Sequence, residues 1–199
     1  MTTTFFLLRH AAHDDVGSYL AGRSPNVFLG PEGRAQALRL GERMLRERFA
    51  VIFSSPRERT QETAQAVSVT CAVGPIELSD DLDEIDFGPW SGKTFVELNQ
   101  DPAWRHWNEQ RAVARTPGGE SMEQVRRRVC GCMGNLSRKY QGEGVVLVSH
   151  ADVIKSVVCH VLGLPVDCGF RFDIEPASLS VVVMGDWGAK LIRLNESVS

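Results

Sequence analysis

The 199-residue sequence lacks both a long apolar run and a surplus of positive charge. A membrane-spanning helix needs about 20 consecutive apolar residues, and no stretch here approaches that length. The formal net charge is −3, whereas a nucleic-acid-binding protein usually carries a basic surplus. Only Met1 and three threonines precede the first apolar run, without the basic segment that opens a secretory signal. We therefore expect a cytoplasmic protein with neither a membrane nor a nucleic acid as its partner.

The sequence also lacks the cysteine pattern of a disulfide framework or a metal site. Its cysteines are odd in number and scattered, which predicts reduced and mostly buried thiols. Two of them lie two residues apart in a helical pattern, where their side chains point in different directions. No second cysteine or histidine pair lies at ligand spacing, so we expect neither a metal nor a cofactor. The five are Cys71, Cys130, Cys132, Cys159 and Cys168.

Strand-like and helix-like segments alternate along the chain. The runs "FFLL", "VIFSS" and "GVVLVSH" are apolar almost throughout, as buried parallel strands are. Amphipathic segments follow them, and "LSVVVM" and "AKLIRL" flank a turn at residues 185–188 as a hairpin would. These features predict a three-layer α/β/α sandwich with a mostly parallel central sheet, in which residues 1–199 form a single domain.

Three of the predicted strands end in side chains suited to binding a phosphate. The first ends in Arg9 and His10, the second leads into "SSPRER" with Arg59, and the strongest ends just before His150. Ligands of open α/β sheets bind outside the carboxyl ends of the strands. There, helix N-termini and guanidinium groups can both hold an anion. A locally cationic site in a mildly acidic chain predicts a small phosphorylated substrate.

Five strings carry a resemblance to a known family: "LLRHA", "SSPRERTQETA", "LDEIDFGPWSGKTF", "PGGESMEQVRRRV" and "VLVSHADVIKSV". Their order and spacing resemble the histidine phosphatase superfamily, the phosphoglycerate mutase-like proteins. The similarity extends from Phe5 to about Asn195. It implies the phosphoglycerate mutase-like α/β/α fold and phosphoryl chemistry without a metal.

The resemblance also implies a role for each of five residues. His10 matches the nucleophile that becomes a phosphohistidine. Arg9 and Arg59 match the arginines that hold the phosphoryl group and neutralise its developing charge. His150 matches a second histidine that donates to the same oxygens. Glu84 matches the acid that protonates the leaving oxygen and then activates water.

The chain departs from the family pattern at residues around this predicted site. Ala11 stands where the family has glycine, which is tolerable only if the backbone angles there suit a residue with a Cβ. Ala12, His13 and Val16 replace a glutamate, a threonine and an asparagine. Ala151 also stands at a common glycine position, and we include it among the substrate-binding residues. These changes do not affect the charged residues that are matched to the phosphoryl group, but they leave the identity of the leaving group open.

Residues near the first loop are therefore candidates for substrate selection. Arg23 is a second basic residue near that loop, which favours a position facing the pocket. For His13 and Asp14, a solvent-exposed loop is as good an interpretation as substrate binding.

Several other residues have simpler interpretations. Trp104 and Trp107 lie three apart, as side chains that pack a helix onto the body do. His106 and His160 are interpreted as a surface and a core histidine. The string "PGGES" could form an anion-binding nest. It lacks the lysine of a P-loop, and a turn that caps the following helix explains it.

Hydrolysis is favoured over two alternatives. A mutase must keep its phosphohistidine dry, which needs a long lid, and this chain is short between Glu84 and His150. A binding or regulatory module of the same fold typically loses a charged pocket residue, and none is lost here. The substrate and the oligomeric state are left open.

Overall fold

The computed structural model describes residues 1–198. The strands are β1 (Thr3–Arg9), β2 (Val51–Ser54), β3 (Ile76–Leu78), β4 (Gly144–Ser149), β5 (Leu179–Gly185) and β6 (Gly188–Glu196). The helices are α1 (Pro31–Met44), α2 (Glu58–Cys71), α3 (Phe95–Leu98), α4 (Pro102–Glu109), α5 (Met122–Lys139) and α6 (Ala151–Val161). Strands and helices alternate as the sequence predicts.

The six strands form one sheet in the order β3-β2-β4-β1-β5-β6. The first four run parallel to one another, whereas β5 is antiparallel to β1 and β6 is antiparallel to β5. The predicted hairpin is therefore present and completes one side of the sheet. The sheet is mostly parallel, which confirms the predicted fold class.

The core lies on both faces of this sheet because consecutive residues of a strand point to opposite sides. In β1, Phe5 and Leu7 pack on the face that α5 and α6 cover. Phe6 and Leu8 pack on the other face, which α1 and α2 cover. The near-continuous apolar strands are thus explained by burial on both sides.

Local signals in the sequence position several of these elements. Pro31 opens α1, and Ser121 caps α5 in a reciprocal capping box with Gln124. Trp104 and Trp107 are buried, as predicted.

Two of the predicted burial states are wrong. His160 is exposed rather than in the core, because it lies on the outer side of α6, where its ring contacts Arg126. Cys132 and Cys159 are buried, but the other three cysteines are only half-buried. All five are free thiols. Within residues 1–198, no helix combines the length and the apolar character that crossing a bilayer requires.

The carboxyl ends of β1, β2 and β4 meet at one edge of the sheet. Arg9 is in register with Ser149, and the His10 N–H donates to the Ser149 carbonyl at 3.0 Å. The Ser55 N–H donates to the Val148 carbonyl at 3.0 Å. The residues after these strands are therefore held together by the sheet's own hydrogen bonds.

Candidate active site

His10 lies at the centre of this edge and is held in one orientation. Its ring is buried, and Nδ1 lies 2.8 Å from the Ala11 carbonyl oxygen. A carbonyl can only accept, so Nδ1 carries the proton and Nε2 carries the lone pair, which accepts a hydrogen bond from Arg59 Nε. Burial, together with the charges of Arg59 and Arg9, lowers the pKa of His10 well below its ordinary value. The ring is therefore a neutral base at physiological pH, with Nε2 3.2 Å from the Arg59 Nε.

The backbone at Ala11 accommodates a residue with a Cβ. Its φ is not among the positive values found in this chain, and its side chain is fully buried. The Ala11 N–H donates to the Thr63 hydroxyl at 3.0 Å. The departure from glycine at this position therefore costs no backbone strain.

Arg9 and Arg59 reach the same place from β1 and α2. Arg59 donates to the Gly22 carbonyl at 2.8 Å, and Arg9 donates to the Ile174 carbonyl at 2.6 Å. Arg9 Nε and Arg59 Nη1 are buried and have no hydrogen-bond partner within the described part of the chain. A buried cationic donor without a partner is costly, so this pair is suited to receive an anion.

A cavity of about 130 Å³ opens onto these groups. Its lining combines cationic, apolar and aromatic side chains with one carboxyl group. The lining residues are Arg9, His10, His13, Val16, Gly17, Tyr19, Leu20, Ala21, Gly22, Arg59, Glu84 and Phe95.

His150 lies behind His10, with the ring centroids 5.2 Å apart. Its Nδ1 is 3.2 Å from the Arg59 Nη2 and its Nε2 is 2.8 Å from the Ser55 hydroxyl. The Ser55 hydroxyl lies 3.2 Å from Asp83 Oδ1, to which it donates. This chain of contacts links the buried imidazole to a buried carboxylate. Burial and Arg59 lower the pKa of His150 well below its ordinary value.

Glu84 supplies the carboxyl group of the cavity. Its Oε1 accepts from the Ile85 N–H at 3.0 Å, and its Oε2 lies 3.7 Å from His150 Nδ1. The side chain is only 13 % exposed. Burial, with a smaller contribution from Asp152, raises the pKa of Glu84 to about 7. A large fraction of Glu84 is thus protonated at neutral pH, as a general acid requires.

The first loop places its two candidates differently. His13 is buried and lines the cavity, with its ring centroid 6.3 Å from that of His10 and 5.9 Å from that of Tyr19. Its Nδ1 is buried without a partner among residues 1–198. Burial lowers the pKa of His13. Asp14 is exposed, so the solvated-loop interpretation describes Asp14 and not His13.

Of the residues predicted for the site, His150, Arg23 and Ala151 are not in the lining of the cavity. Arg23 is bonded to the Glu84 carbonyl and to the Glu120 carboxylate, at 2.7 and 2.8 Å. Arg23 is therefore not found facing the pocket as expected, because these two acceptors hold its guanidinium. Ala151 is the half-buried first residue of α6 and packs against the core.

A family model described as histidine phosphatase superfamily (branch 1) matches residues 5–197. The chain belongs to this superfamily. The sequence resemblance is therefore confirmed, and it covers nearly the whole chain.

Individual members of the histidine phosphatase superfamily resemble this chain over most of their length. Phosphoserine phosphatase 1 of Hydrogenobacter thermophilus is 32 % identical over 95 % of this chain and 90 % of its own length. The structure of YhfR from Bacillus stearothermophilus is 27 % identical with a TM-score of 0.91, covering 98 % of this chain and 97 % of that one. A mycobacterial glucosyl-3-phosphoglycerate phosphatase is 25 % identical with a TM-score of 0.86, covering 99 % and 100 %.

Sequence reasoning missed several groups around the site of this histidine phosphatase. Ser55 and Asp83 support His150, and Glu120 and Arg128 contact the loop that carries Glu84. The string "PGGES" was the available signal for Glu120, but it was interpreted as a turn. Among residues 1–198, no three His, Cys, Asp or Glu side chains are grouped so as to hold a metal ion.

Proposed function

We propose that this histidine phosphatase hydrolyses phosphomonoesters of small metabolites through a phosphohistidine at His10, without a metal. The observation that carries the proposal is the neutral His10 Nε2 beside buried arginine donors that lack a partner. The phosphatase names of its relatives support hydrolysis of small phosphorylated compounds. The single domain, the cytoplasmic location and the absence of nucleic-acid or membrane partners stay predictions.

In the first step, the His10 Nε2 lone pair attacks phosphorus while the bond from phosphorus to the leaving oxygen breaks. Glu84 gives its proton to that oxygen, so the product leaves as a neutral alcohol. Arg9 and Arg59 donate to the equatorial oxygens, where negative charge accumulates. Their unpartnered Nε and Nη1 are the donors that this role requires.

In the second step, water attacks the phosphohistidine. The ionised Glu84 removes a proton from the water, the bond between phosphorus and Nε2 breaks, and His10 returns to its neutral form. Inorganic phosphate and a protonated Glu84 complete the cycle. A pKa of about 7 for Glu84 suits both roles, because it can give and take a proton near neutral pH.

His150 and His13 complete the proposed site. A bound phosphoryl dianion favours the protonated form of His150, which Asp83 supports through Ser55. Protonated His150 then donates to a phosphoryl oxygen. His13 lines the cavity and has a buried ring nitrogen without a partner among residues 1–198, and we assign it a contact with the substrate.

Two alternatives to hydrolysis have less support. Between Glu84 and His150 lie the short helices α3 and α4, the 18-residue helix α5 and strand β4, all of which contribute residues to the core. Transfer by a mutase needs a lid that excludes water. A binding module would not require the protonated Glu84 facing a neutral imidazole. Both alternatives are outcomes of the experiment below.

The experiment traps the phosphoenzyme. Protein treated with EDTA is mixed with p-nitrophenyl phosphate, quenched in denaturant and analysed by peptide mass spectrometry. We expect acid-labile, base-stable phosphate on His10 and steady release of inorganic phosphate. His10→Ala should lose both, whereas His106→Ala, which removes an exposed histidine of α4, should retain both. Phosphate on another residue, activity that returns only with a divalent metal, or transfer to an added alcohol without hydrolysis would each contradict the proposal.

A further inference from the structure

A cluster of arginines and carboxylates contacts the backbone of Glu84, and none of its members, Arg23, Glu120 and Arg128, lines the cavity. Two guanidinium groups donate to the same atom, the Glu84 carbonyl oxygen: Arg23 through Nε at 2.7 Å and Arg128 through Nη2 at 3.1 Å. The first arginine comes from the loop after β1 and the second from α5. The backbone of Glu84 is thus anchored from two distant parts of the chain.

Glu120 joins these two arginines to each other. Its Oε2 accepts from Arg23 Nη2 at 2.8 Å and from Arg128 Nη2 at 3.1 Å, and its Oε1 accepts from Arg128 Nε at 3.0 Å. The same carboxylate accepts the Asp86 N–H at 3.0 Å. One side chain therefore bridges both arginines and the loop that carries Glu84.

The "PGGES" string brings Glu120 to this position. The Glu120 N–H and the Thr116 hydroxyl both donate to the Asp86 carbonyl, at 2.9 and 2.7 Å. A Cβ on Gly119 would overlap that carbonyl oxygen, and a Cβ on Gly88 would overlap the Pro117 carbonyl oxygen. Glycine is required at both positions because the two backbones approach so closely. The string is neither an anion nest nor only a helix cap, since it docks on the Glu84 loop.

We infer that Glu120, Arg23 and Arg128 are positioning residues that hold Glu84 where it can protonate the leaving oxygen. This inference rests on the proposed function, because it needs Glu84 to act as the acid. The Glu84 side chain is bonded only to its neighbour, the Ile85 N–H, among residues 1–198. Its carboxyl position therefore follows the position of its own backbone, which the three residues fix.

Charge compensation explains why a carboxylate lies between the arginines. Two cations that contact one carbonyl oxygen repel each other, and they would also favour the ionised form of the nearby Glu84. Glu120 cancels part of their charge, and Asp83 lies 3.4 Å from Arg23 Nε. The cluster can thus anchor the loop without favouring the ionised form of Glu84.

The test compares lysine substitutions at two arginines of the same helix. Arg128→Lys keeps the positive charge, but one ammonium cannot bond Asp81, Glu84 and Glu120 in the geometry of the planar guanidinium. Arg126→Lys is the control, because Arg126 pairs with Glu123 at the surface. The second pair, Glu120→Gln against Glu123→Gln, removes the bridging and the surface carboxylate respectively.

The readout is the single-turnover rate of His10 phosphorylation by an alkyl phosphate and by p-nitrophenyl phosphate. A misplaced acid slows only the reaction whose leaving group needs a proton. We expect Arg128→Lys and Glu120→Gln to slow phosphorylation by the alkyl phosphate about tenfold or more, because small misplacements of a catalytic group are costly. Phosphorylation by p-nitrophenyl phosphate should change less than about threefold, which also shows that the variants are folded.

Two results would overturn the inference. One is an equal loss on both substrates, which means that the cluster supports the fold and not the acid. The other is a loss on the alkyl phosphate no larger than that of the two surface controls. Failure of the wild-type protein to form phosphohistidine from p-nitrophenyl phosphate would instead refute the proposed function, so the two failures are distinguishable.

Discussion

Two pairs of arginines lie near Glu84, one in the lining of the cavity and one outside it, and they differ in how completely their donors are used. The cavity arginines, Arg9 and Arg59, each keep a buried nitrogen without a partner among residues 1–198. The loop arginines, Arg23 and Arg128, are bonded to carboxylates and to the Glu84 carbonyl. The same type of side chain is thus suited to binding an anion where its donors lack partners, and it anchors a backbone where its donors are bonded.

The difference follows from the acidic groups around each pair. Glu120 supplies the loop arginines with a carboxylate at 2.8 to 3.1 Å. The acidic side chain that lines the cavity is Glu84, whose pKa is raised to about 7, so that only part of it is ionised at neutral pH. The positive charge of the cavity arginines is therefore available to a substrate, and we propose that substrate to be a phosphomonoester.

The largest expected effect comes from Glu84 itself. Glu84→Gln keeps the size of the side chain but cannot supply an acidic proton. We expect phosphorylation of His10 by an alkyl phosphate to fall about 10²–10⁴-fold, with a much smaller loss for p-nitrophenyl phosphate. The phosphoenzyme from p-nitrophenyl phosphate should accumulate, since its hydrolysis needs Glu84 as a base. Single-turnover kinetics with both substrates measure these steps.

A double variant sharpens this prediction. If the loop arginines act only through Glu84, adding Arg128→Lys to Glu84→Gln should cause little further loss with the alkyl phosphate. If the rate losses of the two single variants instead multiplied in the double variant, Arg128 would contribute to phosphorylation by a route that does not involve Glu84. Equal effects of Glu84→Gln on the two substrates would mean that Glu84 positions the substrate without donating a proton.

A smaller effect is expected from Arg59→Lys, which tests whether the cavity arginines bind the anion. Lysine keeps the charge but loses the planar fork that bonds two phosphoryl oxygens. We expect kcat/KM to fall about 10²-fold, and the inhibition constant of inorganic phosphate should rise. The matched variant Arg128→Lys should leave phosphate inhibition unchanged, because its donors do not face the cavity. If phosphate inhibition were weakened equally in Arg59→Lys and Arg128→Lys, the proposed difference between the cavity arginines and the loop arginines would be wrong.

The smallest effect is the dependence of phosphorylation on pH. Because the pKa of Glu84 is raised to about 7, the acid is protonated below that value and lost above it. Phosphorylation by an alkyl phosphate should fall as pH rises from 7 to 8.5, by about tenfold per unit at the upper end. The pKa of His10 is lowered well below its ordinary value, so His10 should stay neutral between pH 6 and 7 and cause no loss there.

The two substrates again provide the contrast. Phosphorylation by p-nitrophenyl phosphate should stay nearly constant from pH 6.5 to 8.5, measured in a stopped-flow single turnover. Hydrolysis of the phosphoenzyme should rise over the same range, because the base form of Glu84 increases. An alkyl phosphate profile that is flat through pH 7 would show that Glu84 is not the titrating acid.

The residues at the strand ends around the cavity could be predicted from the sequence, but the cluster that anchors the Glu84 backbone could not. Arg9, His10 and His150 follow apolar runs directly, and parallel strands bring such ends to one edge by rule. The capping box of Ser121 is likewise a local signal. These features depend on residues close together in the chain, which is why the sequence patterns show them.

Arg23 shows why this cluster was missed. Its charge and its position near the first loop favoured a place in the pocket. Its partner Glu120, however, is 97 residues away, and no periodicity links the two. Glu120 itself lies in the string "PGGES", for which a helix-capping turn is a sufficient interpretation. His160 was misplaced for another reason: α6 is largely apolar, and its few polar residues do not show in the sequence which side of the helix is exposed.

The sheet order has a consequence for how the protein is made. Strand β1 lies between β4 and β5, so the ribosome delivers the partner of Thr4, which is Gly144, about 140 residues later. At roughly 5–20 residues per second, the apolar strand β1 waits on the order of ten seconds for a neighbour in the sheet. During that time Phe5, Phe6, Leu7 and Leu8 are a natural target for a chaperone, and His10 is synthesised before the cavity around it can form. The candidate site can thus assemble only after β4 and β5 have been synthesised, long after the strand that leads into His10.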